Sequence, residues 1–172
     1  VGSKVVKLVV TGPVNAGKTT LIRGLSDVPV VCTNEMATDV VSEVKEGTTV
    51  AMDHGICYPS EDLELHLYGT PGQRRFDFMW EILAVGANGV LFLVDGSDET
   101  SLEELKYIYN HFGERTTLGR LVAVTRQDVS GAVQSEDLAA MLGISSDDVF
   151  GLDARSCDHI KPLLLSRFSD TE

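Results

Sequence analysis

The sequence predicts an α/β domain with a mostly parallel sheet of six strands, one antiparallel edge strand, and helices on both faces. Three observations carry that reading. Apolar, strand-like runs alternate with helix-like runs along the whole chain, the pattern of strands joined by helical crossovers. The run Val5-Val6-Lys7-Leu8-Val9-Val10 leads straight into the glycine loop GPVNAGKT at 12–19, and a helix-like run follows. The stretch GVLFLVD at 89–95 is almost wholly apolar, as expected of a strand covered on both faces. At 172 residues the chain has the length of a single domain, and we treat residues 1–172 as one unit.

Each element follows from local chemistry. The first strand is placed at 5–11 and the first helix at 18–25. From 26 to 48 no period of two or of 3.6 emerges, and Pro29, Asn34 and Glu46-Gly47 interrupt what pattern there is. A connection of this length is typically functional. The next strands are placed at 49–58 and 62–68. In the latter, Leu63, Leu65 and Leu67 alternate with Glu64 and His66, so one face is less buried. Pro59-Ser60-Glu61 reads as the turn of an antiparallel hairpin. A helix over 75–85 presents Phe76, Met79, Trp80 and Leu83 on one stripe and leaves Phe78 and Ile82 off it. Those two are either a contact surface, with Trp80 close by, or further packing against the sheet. Then come a strand at 89–95, a helix at 102–112 capped by Thr100 or Ser101, a strand at 121–125, a helix at 136–142 stopped by Gly143, a strand at 149–152 and a helix at 160–168.

Composition narrows the function classes. A formal net charge of −12 argues against nucleic acid, which calls for a basic stripe. It argues equally against adsorption on an anionic membrane. The three cysteines, Cys32, Cys57 and Cys157, are widely spaced and odd in number, and are read as reduced thiols of a cytoplasmic protein. No apolar run reaches membrane-spanning length, and neither a secretory signal nor a prenylation box is legible. The four histidines have no metal-ligand spacing.

The chemistry concentrates in the glycine loop. Its spacing, G-x-x-x-x-G-K-[ST], is that of the phosphate-binding P-loop. Backbone amides of Asn15, Ala16, Gly17, Lys18, Thr19 and Thr20, together with the helix N-terminus, make an anion hole. Lys18 can reach the β- and γ-phosphates, and the Thr19 hydroxyl can ligate Mg²⁺.

With GPVNAGKTT (12–20), TTVAMDHG (48–55), LYGTPGQRRF (67–76), VLFLVD (90–95), TRQD (125–128) and DAR (153–155) in this order, the chain resembles the Ras-like small GTPases over nearly its whole length. Within them it is most similar to the MglA-like prokaryotic branch, encoded beside roadblock-domain proteins. The resemblance implies GTP and GDP as ligands, Mg²⁺ as cofactor, and switch segments at about 28–49 and 69–86. It implies that Thr49, or its neighbour Thr48, ligates the metal. It implies that the Gly72 amide senses the γ-phosphate and that Gln73 orients the attacking water, with Lys18 stabilising charge. Gln73 can also be a polar side chain that simply faces water after a turn. A roadblock-type protein is the implied regulator.

Two departures stand out. The family's metal-side Asp is Gly69 here; Asp53, an acidic residue in an apolar strand, is the candidate replacement, the alternative being a solvent-facing carboxylate. The family's N-K-x-D is Thr125-Arg126-Gln127-Asp128. Asp128 keeps the carboxylate that can pair with guanine N1–H and N2–H₂, and Arg126 can cover the base face. Thr125 has a hydroxyl where the family has an amide. Ala154 matches the position whose N–H meets guanine O6, and Arg155 follows it. Arg74 or Arg75 could supply an arginine in cis to the γ-phosphate; arginines at a helix start are more often surface residues. Two rivals remain: a nucleotide-dependent binding module with negligible hydrolysis, and a small-molecule kinase, which would need an arginine-rich lid that the sequence lacks.

Overall fold

A computed structural model describes residues 2–32, 52–113 and 118–168. Among the described residues seven strands form one sheet: β1 (Lys4–Thr11), β2 (Val31–Cys32), β3 (Asp53–Ser60), β4 (Leu63–Gly69), β5 (Gly89–Asp95), β6 (Gly119–Thr125) and β7 (Val149–Gly151), in the order β2-β3-β4-β1-β5-β6-β7. Strands β4, β1, β5, β6 and β7 run parallel, and β3 is antiparallel to both β4 and β2. The sheet is mostly parallel, as expected, but has seven strands rather than six. The extra one, β2, is two residues long, too short for a hydrophobic period to register.

The helices are α1 (Lys18–Leu25), α2 (Asp77–Ala84), α3 (Glu99–His111), α4 (Ser135–Leu142) and α5 (Lys161–Phe168). Strand alternation sorts the core into two layers. Val6, Leu8, Val10, Leu91 and Leu93 face α1 and α5, meeting Leu21, Ile22, Leu25, Leu164 and Phe168. Their neighbours Val9, Val90, Phe92 and Val94 face the other way, onto Trp80, Leu105, Ile108, Phe112 and Leu138 of α2, α3 and α4. All seven residues of β5 are buried, the mark of a central strand covered on both sides.

Several boundaries move for identifiable reasons. The strand expected to begin at 49 is described only from Asp53. It runs on through Pro59, with a register shift between Cys57 and Ser60. Proline has no N–H for the ladder and is tolerated at such an irregularity, so it does not end the strand. Before α2, Arg74–Phe76 form a single 3₁₀ turn rather than helix. Helix α3 starts three residues earlier than expected, because its cap is Asp98, whose side chain accepts from the Thr100 N–H. Ser101 instead accepts from the buried Asp95 N–H. Gly143, at φ 68°, ends α4 as expected. Among the described residues no helix is long and apolar enough to cross a membrane.

Candidate nucleotide site

Five segments leave the C-terminal ends of parallel strands and meet on one side of the sheet, where open α/β sheets place their ligands. The loop at 12–17 follows β1, residues 70–73 follow β4, residues 96–98 follow β5, residues 126–129 follow β6, and residues 152–155 follow β7. Between the first, fourth and fifth lies a cleft of about 730 Å³ lined by Asn15, Ala16, Gly17, Thr20, Thr125, Arg126, Asp128, Ala154 and Arg155 among others. Nine of the predicted site residues thus share one cavity.

The glycine loop is shaped by contacts that exclude a side chain. Gly12 has φ 148°, and a Cβ there would run into the Leu93 carbonyl oxygen. Asn15 takes the left-handed region at φ 63° and Gly17 at φ 103°. Gly17 is the N-cap of α1 and offers no side chain to its first turn, which also holds no acidic residue. The helix N-terminus is therefore left for an outside anion. Lys18 donates from Nζ to Gly12 O at 2.8 Å and Pro13 O at 2.6 Å. Burial pulls its pKa down to about 8, opposed by the nearby Asp53 carboxylate. A polyphosphate would give this buried ammonium a direct anionic partner.

Asp53 is buried, and its Oδ2 accepts from Thr19 Oγ1 at 2.5 Å. In the β3–β4 ladder Asp53 stands directly opposite Gly69. A Cβ on Gly69 would lie 3.4 Å from the Asp53 Cβ and 2.8 Å from Ile22 Cδ1. A buried carboxylate thus stands directly across the ladder from Gly69, on the neighbouring strand. Asp53 is not the solvent-facing residue of the alternative reading. A hydroxyl and a carboxylate are hard oxygen donors that suit Mg²⁺. Thr48 and Thr49 lie outside the described residues, as does most of the segment 28–49.

Residues 70–73 lie against the glycine loop. A Cβ on Gly72 would sit 2.6 Å from Val14 N and 2.9 Å from Gly12 O, so only glycine allows this approach. The Thr70 hydroxyl donates to Thr11 Oγ1 at 2.8 Å, and Trp80 Nε1 donates to Pro71 O at 2.9 Å. Gln73 is exposed. Arg74 does not point at the phosphate loop: its Nε donates to Glu104 Oε2 at 2.8 Å and its guanidinium lies 4.2 Å from the centre of the Tyr107 ring. Arg75 lies over Phe76. Of the apolar surface expected on α2, Phe78 and Ile82 are exposed, whereas Trp80 is fully buried among Tyr107, His111 and Phe112. Trp80 belongs to the core and not to that surface.

At the other end of the cleft the Thr125 hydroxyl faces two carbonyls, Ala16 O at 3.3 Å and Val94 O at 3.1 Å. One hydroxyl thereby ties the segment after β6 to the glycine loop and to β5, so this link survives without an amide. Arg126 has φ 56° and pairs with Asp95 at 2.8 Å. Asp153 binds Arg155 through both carboxylate oxygens, at 2.9 and 3.1 Å, which raises the arginine pKa and lowers that of the aspartate. Cys157 donates to Ala154 O at 3.0 Å, and burial pushes its thiol pKa up, so it behaves as a packed hydrogen-bond donor. Sequence reasoning quoted Asp95 and Asp153 within motifs and Cys157 as a reduced thiol, but gave none of them a role in the site. The first was marked by its place, a carboxylate closing an all-apolar strand.

A phosphate loop at the end of a mostly parallel sheet, opening on a cleft at the strands' C-terminal ends, is the architecture of the P-loop GTPase fold. The chain belongs to the family described as a conserved hypothetical ATP binding protein, which its residues 29–148 match. It is 36% identical over 124 residues to an uncharacterised protein of Methanocaldococcus jannaschii, covering 66% of this chain and 72% of that protein. It is 26% identical over 150 residues to ADP-ribosylation factor-like protein 6 of Caenorhabditis briggsae, covering 84% and 72%. Among solved structures it is similar to the Arl6 small GTPase of Trypanosoma brucei with a bound nucleotide analogue. There the TM-score is 0.67 at 18% identity, over 98% of this chain and all of that one, a likeness of fold.

Proposed function

We propose that this protein is a regulatory GTPase that binds GTP with Mg²⁺ and hydrolyses it slowly to GDP and phosphate. The observation that carries the reading is the cleft that joins Gly17 and Thr20 of the glycine loop to Asp128 and Ala154. The Asp128 carboxylate can accept from guanine N1–H and N2–H₂, and the Ala154 N–H can donate to O6; adenine offers neither donor to Asp128 and no oxygen to Ala154. The family description speaks of ATP, so base choice is the first thing to measure. Lys18, the loop amides and α1 would hold the phosphates. Thr19, Thr49 and Asp53 are the residues proposed to hold Mg²⁺, which when bound neutralises charge on the phosphates. Gly72 is the proposed γ-phosphate sensor and Gln73 the residue proposed to orient water. The segments 28–49 and 69–86 are the proposed switches, and a roadblock-type regulator is proposed to meet Phe78 and Ile82. A cytoplasmic setting goes with this reading.

Calorimetric titration of nucleotide-free protein with GTP, GDP and ATP in Mg²⁺, beside Asp128→Ala, tests it. Guanine nucleotides should bind at least about 100-fold more tightly than ATP, and the variant should lose that margin. Equal ATP binding that ignores Asp128 would overturn the guanine site. A second reading, a nucleotide-dependent binding module without useful hydrolysis, is favoured by the exposed Gln73 and by Arg74 turned towards α3. A single-turnover rate unchanged in Gln73→Leu would select it.

A further inference from the structure

We infer that Asp95 is a positioning residue for the base: it holds the Arg126 guanidinium as a fixed platform at the edge of the cleft. The inference rests on the guanine-nucleotide reading and deepens it. Asp95 closes β5 and is the register partner of Thr125 in the β5–β6 ladder, so its side chain lies beside the start of the TRQD segment. Its side chain is only 7% exposed, a costly place for a carboxylate unless every oxygen is occupied. Both are. Oδ1 accepts from the Ser97 N–H at 2.9 Å and the Ser97 hydroxyl at 2.6 Å. Oδ2 pairs with Arg126 Nη1 at 2.8 Å. The carboxylate is thus clamped by its own turn on one side and presents its other oxygen to a single arginine.

That arginine is built to be presented. Its backbone is left-handed at φ 56°, a conformation that costs a non-glycine residue. Its side chain stays 58% exposed and lines the cleft, so the pair with Asp95 leaves the guanidinium face open. The segment carrying it is pinned by Gly96 N–H to Thr125 O at 3.0 Å, by Val133 N–H to Gly96 O at 2.8 Å, and by the Thr125 hydroxyl. A planar cation held at one nitrogen keeps its face for stacking on a purine and loses less freedom when the base arrives. An unpaired arginine at this exposure would have to be ordered by the ligand itself.

The test is a double-mutant cycle on Asp95→Asn, Arg126→Ala and the double variant. Asn keeps the shape and an acceptor for Ser97, and Arg126→Ala alters an exposed side chain, so the second variant reports even where the first folds poorly. Calorimetry with GDP and with inorganic pyrophosphate, both in Mg²⁺, gives the readout. Each single variant should weaken GDP about five- to thirty-fold, the size of a stacked cation, with the double variant within about twofold of the worse single. Pyrophosphate affinity should stay within about twofold of wild type, because it has no base. Additive losses, or a parallel fall in pyrophosphate affinity, would mean that Asp95 only supports the loop and would overturn the inference alone. Wild-type protein that binds pyrophosphate but neither GDP nor GTP would overturn the nucleotide reading and this inference with it.

Discussion

Lys18 carries a charge in a place where burial opposes it. Its pKa of about 8 in the fold, against about 10.5 in an unfolded chain, means that the unfolded state binds more protons between those values. Stability of the ligand-free protein should therefore rise with pH from about 8 to 10.5, as far as this group contributes. A bound polyphosphate would restore the proton. GDP binding at pH 8.5 should take up at most about three-quarters of a proton, seen as a dependence of the calorimetric enthalpy on buffer ionisation. Lys18→Met should abolish that dependence along with most phosphate affinity. Asp53 makes a second prediction at this scale. If it serves the metal, Asp53→Ala should cut the Mg²⁺-dependent gain in GDP affinity about tenfold and leave Mg²⁺-free binding nearly unchanged, with Mg²⁺ titrations as the check.

The β3–β4 ladder turns that residue into a geometric question. Asp53 faces Gly69 across the pair, and a Cβ at 69 would press on Ile22 Cδ1. Gly69→Asp alone should lower the melting temperature, since two like charges would oppose each other in one cross-strand pair. Asp53→Gly with Gly69→Asp should recover part of the lost stability and part of the Mg²⁺ response. Helix α2 raises a separate question. Trp80 anchors residue 71 from the core, and Arg74 is held on α3 by Glu104 and Tyr107. Glu104→Ala should speed amide hydrogen exchange in residues 70–76 several-fold while the glycine loop keeps its protection.

At the scale of the molecule, stability rests on two apolar layers and a C-terminal helix that closes one of them. Phe168 is fully buried at the end of α5, and its ring fills the hollows over Gly89 and Gly119, where a Cβ would come within 2.5 and 3.3 Å. Phe168→Ala should cost about 3–5 kcal/mol and lower the melting temperature by roughly 10 °C in a thermal scan. The net charge of −12 surrounds a site whose ligand is itself an anion. The positive end of α1, Lys18 and the arginines of the cleft form the local exception, so phosphate binding depends on short-range contacts more than on the overall field.

The residues themselves determined most of what is local. Glycine spacing and the flanking apolar run marked the phosphate loop, alternation and all-apolar runs marked the sheet, and Gly143 marked the end of α4. These depend on backbone angles and on periods of two or 3.6, which are written in consecutive letters. What only the tertiary structure decided is who meets whom. Asp53 is opposite Gly69, Asp95 reaches Arg126, and Trp80 lies inside while Phe78 and Ile82 lie outside. Arg74 is turned to α3 and not to the phosphate loop. Each of those depends on strand register or helix docking between residues 16 to 31 positions apart, or on which helix face the sheet covers, and no short-range pattern encodes either.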